Sequence, residues 1–211
     1  MTASPCLLQQ FARYPEPGRV KTRLQTELSA TESCAVHERL LLSTAATLTQ
    51  SALGVAELWL DRAGEHDVLS RALALGMQGP FLQQGKDLGE RMHAALRDGL
   101  TRADAVVLVG SDCPVLSVDY LEAAFDALEC ADVVLGPAED GGFVLIACRR
   151  VSANMLTGVP WGSDAVLEVT RMRVRSAGLG TSELPMLYDI DTPDDLRRWE
   201  RELRSGVSGD R

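Results

Sequence analysis

The sequence is short of positive charge. Twenty-one Lys and Arg stand against thirty Asp and Glu, a formal net charge of −9 over 211 residues. Nucleic acid as a bulk partner needs a basic face, and this balance argues against one. No apolar run is long enough to cross a bilayer. The N-terminus has no basic n-region, and its apolar start is interrupted by Gln9-Gln10, so neither a membrane span nor a signal peptide is expected. The five cysteines (Cys6, Cys34, Cys113, Cys130, Cys148) are odd in number, scattered and without C-x-x-C. They read as reduced thiols, not a disulfide frame or zinc site, and place the chain in the cytoplasm. Also missing are H-E-x-x-H, G-x-S-x-G, a P-loop and G-x-G-x-x-G, so Rossmann-type dinucleotide binding is unsupported. His37, His66 and His93 occur singly on expected helices and read as surface or core residues.

What is present is a pattern of strands and helices with charge collected in the loops. A hydrophobic fraction of 45% suffices for a sizeable core. The organising stretch is Val106-Val107-Leu108-Val109-Gly110-Ser111-Asp112-Cys113-Pro114. Its apolar run reads as a strand buried on both faces, as in a parallel sheet. Pro114 turns the chain away and leaves Asp112 beyond the strand's carboxyl end, where open α/β sheets bind ligands. Asp112 there either holds a divalent cation, as a nucleotide diphosphate requires, or caps the following helix.

Taken in order, residues 6–12 read as a first strand running into Arg13-Tyr14-Pro15-Glu16-Pro17-Gly18-Arg19-Val20-Lys21-Thr22-Arg23. Two prolines and a glycine stiffen this loop. Arg13, Arg19, Lys21 and Arg23 make it an electropositive cradle for phosphate at the sheet's ligand end. Residues 31–53 read as a helix closed by Gly54, 55–60 as a strand, 67–75 as a helix stopped by Gly76 and 81–83 as a short strand. Asp87 and Glu90 form an expected capping box for a helix to about Leu100, and Gly89 in its first turn would let a ligand approach the backbone. A helix over 119–128 follows the central strand. Strands over 132–137 and 143–147 then flank the hairpin-like turn Glu139-Asp140-Gly141-Gly142. Trp161 is a candidate pocket residue. Ser163 or Asp164 caps a helix to about Ser176, and 184–188 reads as a last strand. Thr192, Pro193, Asp194 and Asp195 mark a clear helix start, with Asp191 just before the cap. The whole reads as one α/β domain over 1–203, a doubly wound, mostly parallel sheet, with a flexible polar tail over 204–211.

Five stretches in register resemble a known family. They are Phe11-x-x-x-Pro15-x-Pro17-Gly18-Arg19-Val20-Lys21-Thr22-Arg23-Leu24, Gln84-x-x-Asp87-Leu88-Gly89-Glu90-Arg91-Met92, Gly110-Ser111-Asp112-Cys113-Pro114, Gly136-Pro137-Ala138-x-Asp140-Gly141-Gly142-Phe143 and Asp189-Ile190-Asp191-Thr192-Pro193-x-Asp195-Leu196. Together they resemble an uncharacterised bacterial family of the nucleotide-diphospho-sugar transferase superfamily, with the glycosyltransferase A fold. That family is related to 2-phospholactate guanylyltransferase, and some members are labelled arsenosugar-biosynthesis glycosyltransferases. The resemblance implies a metal-dependent transferase using a nucleotide-activated donor. Its first reading is glycosyl transfer from a nucleotide-diphospho-sugar to a small acceptor. The alternative is nucleotidyl transfer, joining an NTP to a phosphorylated small molecule with release of pyrophosphate.

By position, the resemblance makes Asp112 and Asp191 the ligands of Mg²⁺ or Mn²⁺ and puts Lys21 and Arg23 near the phosphates. Arg13, Gly18, Gly89 and Arg91 complete the expected nucleotide- and phosphate-binding set. Asp112 and Asp140 are the expected catalytic acids, Asp140 as a base toward the acceptor hydroxyl. Where glycosyltransferases of this fold usually show Asp-x-Asp, Ser111-Asp112-Cys113 supplies a single acid. Phe143 lacks the hydroxyl expected at its position and is expected to pack.

Overall fold

The computed structural model of the chain describes residues 6–206. Seven strands are laid out: β1 (Cys6–Ala12), β2 (Gly54–Leu60), β3 (Gln78–Leu82), β4 (Ala105–Gly110), β5 (Val133–Pro137), β6 (Phe143–Cys148) and β7 (Thr181–Glu183). They form one sheet in the order β3-β2-β1-β4-β6-β5-β7. All neighbours pair parallel except β6, which runs antiparallel to both β4 and β5. Six helices cover it: α1 (Ala30–Gln50), α2 (Asp67–Ala74), α3 (Leu88–Gly99), α4 (Val118–Ala127), α5 (Val166–Ser176) and α6 (Pro193–Ser205). A 3₁₀ turn over Thr22–Thr26 ends the basic loop.

The sheet is wound on both faces, so most strand side chains are buried whichever way they point. One core layer joins Leu41, Leu48, Val68 and Leu121 of α1, α2 and α4 to Leu8, Leu58 and Val107 of the sheet. The other joins Met92, Leu96, Leu167 and Val174 of α3 and α5 to Leu7, Val106, Leu135 and Ile146. A third, smaller cluster sits beside them, made of Leu24, Leu40, Ile190, Leu196 and Trp199. It clamps the end of the basic loop and the segment before α6 onto α1.

Gln9 and Gln10 lie in the middle of β1, both fully buried. Their amide nitrogens are paired, while both amide oxygens are buried without a hydrogen-bond partner. Gln9 Nε2 donates to Ala95 O at 3.0 Å, and Gln10 Nε2 donates to Leu41 O and Ser111 Oγ, both at 2.9 Å.

Several boundaries differ from expectation. The first helix, expected over 31–53, begins one residue earlier, capped by a Ser29–Glu32 box, and ends at Gln50. Gly54 does not close it but opens β2, where an added Cβ would stand 1.8 Å from Cys6 O. Asp87 caps α3 by accepting from Glu90 N at 2.8 Å, but Glu90 Oε2 takes Lys86 N, so the expected box is half made. His66 lies before its helix and is the N-cap of α2. Neither Ser163 nor Asp164 caps α5, whose N-cap is Ala165; Ser163 Oγ accepts from Ala165 N instead. The last strand is 181–183, not 184–188, because Gly180 and its neighbours pair beside β5 first; of the later segment only Leu187 forms a bridge, to Ala138. Residues 204–205, expected in the tail, are the last turn of α6, closed by left-handed Gly206; residues 207–211 of that expected tail lie outside the described residues. The five cysteines are free, as read, and no helix among the described residues is long and apolar enough to cross a membrane.

Candidate active site

At the carboxyl ends of β1, β2 and β4 lies an open cleft of about 600 Å³. Three backbone contacts assemble it. Ile190 N donates to Asp112 O at 2.9 Å, which ties the segment before α6 to the end of β4. Leu187 N donates to Pro137 O and Glu139 N donates to Leu187 O, both at 3.0 Å, which lays the Asp140 loop beside the same segment. Acids far apart in sequence thereby share one rim.

Three of them converge. One carboxylate oxygen each from Asp140, Asp189 and Asp191 fall within 4.8 Å of one another. Asp140 is fixed by an Asx turn, its Oδ1 accepting from Gly142 N at 2.8 Å. Gly141 (φ 87°) makes that turn possible, and its carbonyl accepts from Leu167 N at 2.8 Å, anchoring the loop to α5. Asp189 is the most perturbed. Burial, then the charges of Asp140 and Asp191, push its carboxyl up to about 7.

Asp112 is engaged differently from the expected Asp112–Asp191 metal pair. Lys21 adopts the left-handed conformation (φ 47°) with only 4% of its side chain exposed. Its Nζ lies 2.7 Å from Asp112 Oδ1 and 3.6 Å from Asp191 Oδ1, and donates to Ile190 O. The Asp112 contact is close enough for an ion pair but off the hydrogen-bonding direction, so Oδ1 is buried without a formal hydrogen bond. The rest of the carboxylate is open, with 45% of the side chain exposed on the cleft wall. Burial pushes the Asp112 carboxyl up, but Lys21, with smaller help from His37 and Arg13, outweighs it and holds the carboxyl below its ordinary range. The grouping with cation-binding geometry is thus 140/189/191, with Asp112 held by a lysine.

The remaining expected residues divide. Arg13, Lys21, Arg23 and Arg91 line the cleft. Arg23 Nη1 donates to Asp191 Oδ2 at 2.9 Å, and Arg91 Nε to Gly85 O at 3.2 Å. Gly18 (φ 84°) lines a smaller adjoining hollow of about 350 Å³ with Arg19 and Arg62. Gly89 is buried away from the cleft; a Cβ there would stand 2.4 Å from Leu156 O and 3.1 Å from Trp161, so packing requires this glycine. Phe143 packs edge-on against Trp161, centroids 6.1 Å apart, and both line the cleft.

Besides Asp189, sequence reasoning gave no cleft role to His37, Asp61 and Gln83. His37 of α1 contacts Arg13 O through Nε2 at 2.9 Å; since a carbonyl only accepts, that nitrogen carries the proton. Burial, against the opposing pull of Asp112, holds the ring pKa down. Asp61, after β2, accepts from Tyr14 N at 2.7 Å, and Gln83, after β3, donates to Ala12 O and Trp59 O. Each follows a strand directly, which was the available signal.

Residues 44–163 match the family described as uncharacterized protein conserved in bacteria (DUF2064). The chain belongs to this family. It is 25% identical over 194 residues to the 2-phospho-L-lactate guanylyltransferase of Methanothermobacter thermautotrophicus, covering 90% of this chain and 82% of that one. It is 31% identical over 149 residues to the phosphoenolpyruvate guanylyltransferase of Sphaerobacter thermophilus, covering 69% and 68%. Among solved structures it superposes with a TM-score of 0.79 on a candidate nucleotide-diphospho-sugar transferase from Desulfovibrio desulfuricans G20, 28% identical and covering 96% and 95%. The family, the mostly parallel glycosyltransferase A-type fold and the assignment as a transferase agree with the resemblance carried by the five motifs.

Proposed function

We propose that the chain is a metal-dependent transferase whose cleft takes a nucleotide-activated donor and a small-molecule acceptor in the cytoplasm. One observation carries this: a proline-stiffened loop of cations and a three-carboxylate cluster meet at the carboxyl edge of a single parallel run of strands. The three acids suit Mg²⁺ or Mn²⁺, hard cations that take oxygen ligands. The Asp189 carboxyl is raised first by burial and then by the charges of Asp140 and Asp191, and a bound cation would favour its ionised form against both. Asp140, Asp189 and Asp191 would hold the ion, which when bound would neutralise charge developing on the donor phosphates.

The chain's own residues do the rest. Arg13, Arg23 and Arg91 supply positive charge to the phosphates from the cleft wall, and Lys21 fixes Asp112 and Asp191 in place. The first reading is glycosyl transfer, supported by the likeness to the Desulfovibrio protein. The bond from the sugar carbon to the β-phosphate breaks, the acceptor oxygen bonds to that carbon, and the acceptor proton passes to the departing phosphate. That route leaves Asp140, expected as a base, free for the cation cluster. The guanylyltransferase relatives favour a second reading, attack of an acceptor phosphate on an NTP with pyrophosphate leaving.

Product analysis separates them. Incubation with nucleotide-diphospho-sugars and Mn²⁺ is expected to release nucleoside diphosphate, at least by slow hydrolysis. Pyrophosphate from an NTP plus a phosphorylated acceptor, with no diphosphate from any sugar nucleotide, would establish the second reading and remove the first.

A further inference from the structure

The acids of the cation cluster come from two segments of chain, the turn after β5 and the stretch before α6. Like charges within 4.8 Å of one another push those segments apart. Backbone pairing opposes this only in part. Leu187 N donates to Pro137 O and Glu139 N donates to Leu187 O. Past that point no backbone hydrogen bond joins residues 139–142 to residues 188–191 among the described residues. Asp140 and Asp189 stand just beyond the last bond.

The side chains immediately before them continue the link. Glu139 precedes Asp140, Tyr188 precedes Asp189, and α6 brings one guanidinium to both. Arg198 Nη1 donates to the two Glu139 carboxylate oxygens at 2.9 and 3.1 Å. Its Cζ lies 3.7 Å from the centre of the buried Tyr188 ring, a close cation–π stack. Arg198 Nε donates to Glu202 Oε1 at 3.3 Å, and Glu202 Oε2 accepts from the Tyr188 hydroxyl, which ties ring and guanidinium at a second point. None of these four side chains lines the cleft.

We infer that Arg198 is a positioning residue for the cation site. By holding Glu139 and stacking on Tyr188, it sets the spacing of Asp140 and Asp189 and with it the affinity for a divalent cation. This role rests on the proposed cation cluster and supplies what keeps that cluster assembled against its own repulsion. The sign of the effect identifies it. Removing a positive charge from the neighbourhood of a bound cation tightens binding through the field alone. Removing a clamp weakens it.

The test is titration of Mn²⁺ alone into the full chain and its Arg198→Gln and Arg198→Lys variants. Unbound Mn²⁺ is followed by electron paramagnetic resonance, and Tm is measured without metal. Arg198→Gln is expected to bind Mn²⁺ roughly fivefold more weakly, the scale of a half-exposed ion pair, although it has lost a positive charge. Arg198→Lys keeps the charge and loses the planar group that meets Glu139, Glu202 and the ring together, so it should also bind more weakly, by a smaller factor. A fall in Tm alone does not change the affinity of the folded protein, so the Mn²⁺ titration separates positioning from stability. Unchanged or tighter binding by Arg198→Gln overturns the positioning role and leaves the cation cluster standing. If that variant does not fold, wild-type affinity in Arg198→Lys overturns it equally. No Mn²⁺ binding by the wild type overturns both.

Discussion

At the scale of the residue, Lys21 differs most from its sequence reading. The motif suggested an exposed cation reaching for phosphate, and the structure shows a buried ammonium shared among Asp112, Asp191 and Ile190 O. Breaking a buried pair leaves charge uncompensated and costs several kcal/mol; half-exposed partners reduce that. Lys21→Ala is therefore expected to destabilise the metal-free protein by about 2 kcal/mol, roughly 4–8 °C in Tm for a domain of this size. A melt indistinguishable from wild type would return Lys21 to the solvent-facing role.

Asp189 makes a second prediction. Its folded pKa of about 7 lies above the ordinary 3.9, so between those values the folded state binds more protons than the unfolded one. Its contribution to stability is thus complete below about pH 4 and is lost as pH rises through 7, which melts in EDTA across that window would show. Asp140, Asp191 and Asp112 oppose its ionisation and Lys21 favours it. Because a cation needs the carboxylate, Mn²⁺ affinity should run the other way. It should weaken by up to about tenfold for each pH unit below 7, with a proton released on binding. Flat Mn²⁺ affinity from pH 6 to 8 would remove Asp189 from the cluster. A signal for Asp189 was present in Asp189-Ile190-Asp191, where two acids flank one fully buried residue and so emerge together. Lys21 carried none, since nothing in a run of basic residues says which one turns inward.

The element scale was more legible. Thr192 with Pro193 and Asp195 announced α6, and the capping box is present, Asp195 Oδ2 accepting from Thr192 N at 2.7 Å. Thr192→Ala should cost about 1 kcal/mol by thermal denaturation. What local signals could not convey was competition from elsewhere in the fold. Gly54 looked like a helix stop because its real reason, the approach of Cys6 O, comes from a strand 48 positions earlier. The 184–188 run was apolar enough for a strand, but β5 had already taken Thr181–Glu183 as its partner. Gly141 is the sharper test of an element. Its left-handed φ and the 2.2 Å approach of Asp164 O to any Cβ make Gly141→Ala doubly unfavourable. This variant should lose Mn²⁺-dependent nucleotide binding out of proportion to any fall in Tm; retention of full binding would show that the Asp140 turn is dispensable.

Across the whole molecule, a net charge of −9 sets the terms on which a polyanionic nucleotide is admitted. The basic loop and Arg91 have to overcome that field, and three acids on the opposite rim add to it until a cation is bound. Nucleotide and cation should therefore stabilise the protein cooperatively, the thermal shift with GDP and Mn²⁺ together exceeding the sum of the two alone. Additive shifts would place cation and nucleotide in independent sites. The doubly wound architecture followed from strand and helix periodicity, but the reversal of β6 was visible only as the Asp140-Gly141 turn.

The small cluster of Leu24, Leu40, Ile190, Leu196 and Trp199 gives the cleft a shared fate. The cationic strip and the acidic rim hang from opposite sides of the same few buried side chains, so neither can loosen without uncovering what secures the other. Amide hydrogens of 22–26, 190–191 and the first turns of α6 should therefore exchange through one common opening, slowed together when a ligand occupies the cleft. The far C-terminal helix, which contributes no side chain to the cleft lining, would then report on occupancy as faithfully as the loops that touch the ligand.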